Sequence, residues 1–183
     1  MDALEYYIEA FSHLHTAKIR GRKAPHKAVL LISIMDLVSM GAIDSTEIEL
    51  TDDLVNTFKF WWEFYAKSIH GFTPDIGKPF YHMQHESFWQ LSERTATIIE
   101  GMAAESLSLR NKEKVSYAVN ALRNKYSCAL IDFKLLELMK DKETCKILRQ
   151  VLVKNYLSDD SYDSTPSLPT FIGIASILMT LAA

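Results

Sequence analysis

The stretch from Arg20 to Val38, RGRKAPHKAVLLISIMDLV, leaves a chain of this length few ways to fold. Its second half, Val29 to Val38, is apolar at nearly every position except Ser33 and Asp36. A helix so composed has no face to give to water and must run through the middle of a domain. The half before it is the opposite. Lys18, Arg20, Arg22, Lys23 and Lys27 precede or open the helix, and no Asp or Glu occurs from Phe11 to Met35. Pro25 suits a first helical turn, where its missing N–H is not needed, so the helix is expected to begin at or near it. Cations at a helix start are electrostatically misplaced, because the N–H groups there already make that end positive. An anion relieves the conflict, and a phosphate flanked by Lys and Arg is the simplest one. The plainer alternative is a solvated basic loop on a core helix.

The totals narrow the partners. With 183 residues, 48% of them hydrophobic and 23% charged, the chain is long enough for one cored domain and too apolar to be disordered throughout. A net charge of −3 excludes a generally basic polyanion binder, so any contact with nucleic acid must come from a local patch such as Lys18 to Lys27. Cys128 and Cys145 are too few and too far apart for a disulfide framework or a zinc site, which suits a reducing, cytoplasmic setting. The N-terminal MDALEYYIEAF does not read as an export signal.

Along the chain, Leu4, Tyr7, Ile8, Phe11 and Leu14 predict an amphipathic first helix, and Gly41 ends the apolar one. Glu47 to Leu50 alternates as a short strand, and Thr51 is a plausible N-cap for a helix burying Leu54, Phe58, Trp61 and Tyr65. Trp62 and Phe64 fall off that face, as a second packing surface or a stacking platform for bases. After a loop from Ser68 to Lys78, the runs FYHM and FWQL, separated by QHES, predict a β-hairpin. Thr95 to Leu109 gives no clear signal. Helices are expected from Arg110 to Tyr126, after Asp132 as a cap, and through Ile147, Leu148, Val151, Leu152 and Tyr156. The fold class is α+β, a mostly helical single domain (residues 1–157) with a small antiparallel sheet or hairpin. Residues 158–183 read as a polar linker and an apolar tail too short to cross a bilayer, and the abrupt change suggests a truncated or frameshifted end.

Three segments in order, APHKAVLLISIMDLV (Ala24 to Val38), KPFYHMQHESFWQL (Lys78 to Leu91) and LIDFKLLELMKDKETCKILRQVLVKNYL (Leu130 to Leu157), resemble the sulfur-binding domain of McrA-like HNH restriction endonucleases, which recognise phosphorothioate-modified DNA. The resemblance spans roughly residues 1–157. It implies a double-stranded DNA partner and an HNH nuclease supplied by a further domain or subunit; no cofactor is expected. It matches Lys27 to the cationic position after His26, and Pro79 to the proline of the sulfur pocket. Lys78 stands where the family often has an aromatic residue, and Ser87 where it often has Gly. Sulfur is larger, more polarizable and a poorer hydrogen-bond acceptor than the oxygen it replaces, so an apolar wall beside a cation favours it. Pro79 offers the wall and Lys27 the cation if the fold brings them together, with His26, Lys78, Tyr81 and His82 on the rim. Lys18, Arg20, Arg22 and Lys23 are expected to hold flanking phosphates.

The sequence is also compatible with two other functions. One keeps the fold but binds another DNA modification or unmodified DNA. The other is a metal-dependent nuclease acting through Asp75, Asp132 and Lys134, although Asp132 is better explained as a helix cap. His13-x-His15 and His82-x-x-His85 lack a convergent third ligand and are not taken as a metal site. With no phosphate loop, nucleophile elbow or His-His-Asn cluster, catalysis within this chain is not expected.

Overall fold

The computed structural model describes residues 2–94 and 115–158; Thr95 to Leu109, Arg110 to Lys114 and the tail beyond Ser158 lie outside the described residues. Twelve elements follow in order: α1 (Ala3–Ser12), β1 (Lys18–Ile19), β2 (Arg22–Lys23), α2 (His26–Ser39), β3 (Glu47–Ile48), α3 (Asp52–Trp61), α4 (Gly77–His82), β4 (Trp89–Glu93), α5 (Val119–Lys125), β5 (Tyr126–Ile131), α6 (Phe133–Lys140) and α7 (Lys142–Leu152). Helices dominate, and the sheets are small and antiparallel: β1 with β2, and a second sheet in the order β3-β5-β4. No described helix is long and apolar enough to cross a membrane.

The apolar helix is the axis of the fold. Every residue of α2 from Lys27 to Val38 is buried, with α3, α4, α6 and α7 packed around it and α1 closing over α6 and α7. Its C-terminus ends at Gly41, whose φ of +73° suits the left-handed position; the amides of Gly41 and Ala42 donate to the carbonyls of Val38 and Leu37. Its two interior polar groups are both satisfied, one within the helix and one by other helices. Ser33 donates to the Val29 carbonyl at 2.7 Å, and Asp36 accepts from the Trp61 indole and the Arg149 guanidinium. Thr51 caps α3 by accepting from the Leu54 amide at 3.2 Å. A π-helical turn, Trp62–Ala66, continues α3 and buries Trp62, leaving Phe64 exposed. Trp62 is therefore a packing residue rather than an exposed platform.

Two expectations fail for the same reason. The run Phe80 to Met83 is not a strand of a hairpin but part of the helix α4 and of a 3₁₀ turn, Met83–His85, behind it. A four-residue apolar run fits either period, and Pro79 sits in the first turn, where no amide is required. Asp75 settles this by accepting from the Gly77 and Lys78 amides at 3.1 and 3.4 Å. Only the second run pairs, as β4. Likewise the helix expected up to Tyr126 is limited, within the described part, to Val119–Lys125. Tyr126 begins β5, the central strand, where Ile48 lies opposite Ala129 and Trp89 opposite Ile131.

Candidate nucleic-acid interface

The basic segment before α2 folds as a hairpin of its own. Lys18 pairs with Lys23 and Ile19 with Arg22, across a two-residue turn in which Arg20 and Gly21 take φ of +52° and +84°. Both central residues left-handed is the turn whose twist matches a tight hairpin. The Ala24 amide donates to the Ala17 carbonyl at 2.8 Å and closes its base, so the chain enters α2 directly from the hairpin.

Beside that base lies a cavity of about 500 Å³. The hairpin and the turn before it supply His15, Ala17, Ile19 and Ala24; the start of α2 supplies His26 and Lys27; the 71–73 loop supplies Phe72 and Thr73; α4 and its 3₁₀ extension supply Lys78, Pro79, His82 and His85. The helix start and the Pro79 segment, distant in sequence, are thus walls of one space. Of the anticipated rim, Tyr81 alone does not line it; its ring packs between Tyr117 and Tyr126 at 5.6 and 6.1 Å.

Lys27 is buried, and its ammonium meets Glu86 at 2.5 Å. Glu86 is buried as well and accepts from the His15 amide at 2.9 Å, with the His15 ring 3.2 Å from its other oxygen. An ammonium has three N–H donors. Among the described residues Glu86 is its one acceptor, and Lys27 is one of the residues that line the cavity. Burial lowers the Lys27 pKa, and Glu86 opposes that shift.

His26 is held by three contacts: its Nε2 donates to the Thr73 carbonyl at 2.8 Å, and Trp62 and Phe72 lie at ring distances of 4.6 and 5.8 Å. Fastening the loop this way fixes Phe72 on the cavity wall. Burial depresses the His26 pKa, against the Thr73 carbonyl and Asp75; burial, His85, Lys27 and Lys78 all depress that of His82. The His82 and His85 rings lie nearly parallel, 5.9 Å apart. Lys78 is exposed and 3.3 Å from Asp75.

The flanking cations are distributed unequally. Lys18 and Arg20 are exposed on the hairpin, Arg22 is half-buried, and the Lys23 ammonium lies 4.7 Å from the centre of the Tyr156 ring. None of the four lines the cavity, although Ile19 between them does.

Sequence reasoning missed Glu86, the partner of Lys27. The one signal was the position of Lys27 directly against the apolar run of α2, where a buried lysine requires an acid, with Glu86 lying between two aromatic runs. The carboxylates of the nuclease alternative have local duties. The Asp75 carboxylate accepts from the first two amides of α4, and the Asp132 carboxylate, at the N-cap position of α6, accepts from the Tyr7 hydroxyl at 2.8 Å rather than from an amide of its own helix. Among the described residues no group of three His, Cys, Asp or Glu is placed to hold a metal ion. A smaller cavity of about 280 Å³ lies by α5, where Arg123 donates to the Leu50 carbonyl and to Asp52 and so ties α5 to the start of α3. No protein-family model and no curated protein matches the chain.

Proposed function

We propose that this chain is a DNA-recognition module that accepts one backbone phosphate group in the Lys27–Pro79 cavity and favours a phosphorothioate there. On this reading it is the sensing part of a modification-dependent restriction system, and cleavage belongs to an HNH nuclease domain or subunit. The observation that carries the reading is the Lys27 ammonium. Its residue is buried, it has one protein acceptor among the described residues for its three donors, and Lys27 lines a cavity whose other surfaces include Pro79, Phe72, Ile19 and Ala17. A cation with donors in reserve attracts an anion, and the apolar surfaces reward the less hydrated of two candidates. The hairpin beside the cavity carries Lys18 and Arg20 in the open, suited to phosphates on either side of the captured one.

Fluorescence anisotropy with two otherwise identical duplexes, one carrying a single phosphorothioate, tests this. Wild type is expected to prefer the modified duplex, and Lys27→Ala together with Pro79→Ala to erase the preference, with circular dichroism confirming that the variant is folded. Equal affinity of the wild type for both duplexes refutes sulfur selection. Absence of binding to either at low salt refutes the DNA reading. Each phosphate contact supplied by the hairpin should add about 0.9 to the slope of log affinity against log salt.

A further inference from the structure

We propose that Glu86 sets the selectivity of this cavity: by pairing with Lys27 inside the protein, it reserves the site for a soft, weakly hydrated anion and turns away an ordinary phosphate oxygen. The inference rests on the DNA reading above and assigns a specificity-determining role to a residue that does not itself line the cavity.

A bare ammonium at the wall would bind either diester, and would favour oxygen, because a charge-assisted hydrogen bond to a hard oxygen is the stronger one. Dehydrating that oxygen is also the larger cost, and only a fully available charge offsets it. Lys27 is not fully available. Its ammonium lies 2.5 Å from a carboxylate that is itself buried and anchored by the His15 amide. Glu86 thus cancels much of the field at the cavity while occupying only one of the three N–H donors of the ammonium. Pro79, Phe72 and Ile19 then decide by polarizability and size. The other charged group at the rim, Lys78, is exposed and lies beside Asp75, so it does not restore the lost field.

Glu86→Gln removes the charge and keeps the shape and an acceptor for the His15 amide. It is expected to bind the unmodified duplex about tenfold more tightly or better. The modified duplex should gain less, so the preference for it narrows. The salt slope for unmodified duplex should steepen by about one contact. Glu86→Asp, which draws the carboxylate away from Lys27 by one methylene, is expected to move the ratio in the same direction and carries the test should the glutamine variant fail to fold. A wild type that prefers the modified duplex, with a folded variant that keeps the full preference, overturns this inference alone. A wild type that binds both duplexes alike, or neither, overturns it together with the reading beneath it.

Discussion

Lys27 and Glu86 show how one residue pair can serve stability and recognition at once. Lys27→Met leaves the Glu86 carboxylate buried with only His15 beside it, and breaking a buried pair in this way is expected to cost about 3–5 kcal/mol. Adding Glu86→Gln should return most of that loss, because removing both charges is far cheaper than removing one. Chemical denaturation of the two variants measures the difference, and equal losses would show that the pair is not coupled. Tyr7 makes a second residue-scale case. Its phenol is buried against Phe11 and Phe88 and donates to Asp132, and burial followed by that hydrogen bond pushes its pKa well above the usual tyrosine range. A folded pKa above the unfolded one gives stability that is complete below about pH 10 and is lost as pH climbs through the folded value. Tyr7→Phe should therefore cost about 1 kcal/mol at pH 7. Its deficit relative to wild type should shrink in denaturation curves taken at pH 10 and 11.

At the scale of elements, the hairpin before α2 carries a visible compromise. Arg20 occupies a left-handed position, which costs a non-glycine residue about 1–2 kcal/mol and which Asn tolerates better. Arg20→Asn should raise the unfolding free energy by a few tenths to about 1 kcal/mol while lowering the salt slope of DNA binding by about 0.9. A variant that is more stable and binds with an unchanged slope would remove Arg20 from the phosphate contacts. Two other elements explain where local reading succeeds and fails. Thr51 and Gly41 mark the ends of α3 and α2 because a capping side chain and a left-handed residue act within a turn of their own position. Tyr126 to Ile131 has no such marker, and Phe80 to Met83 has only Asp75, which accepts from two amides at the start of its helix and lies outside the run itself. Each is short, and its apolar spacing fits a helix and a strand about equally, so packing against distant neighbours decides.

For the molecule as a whole, α2 is both the core and the support of the cavity, since the helix that buries Leu30, Leu31 and Ile32 also presents His26 and Lys27 at its start. Leu31→Ala should cost about 2–5 kcal/mol. Thermal unfolding is expected to remain one transition, with the cavity lost together with the core; a separate early transition would mean that the hairpin and the α4 segment unfold independently of α2. What the sequence determined by itself was the burial of this helix, its ends, the mostly helical α+β class and the requirement that the cations at its start find an anion. Those properties follow from periodicity and from the cost of burying polar groups, and both can be read within a few residues. Only the tertiary structure decided that the partner is Glu86, 59 residues away, that Pro79 reaches the cavity from a helix rather than a ribbon, and that β5 lies at the centre of its sheet. Such pairings depend on which of several ambiguous short segments fit together around α2, and that choice is made by the packed core rather than by any one stretch of chain.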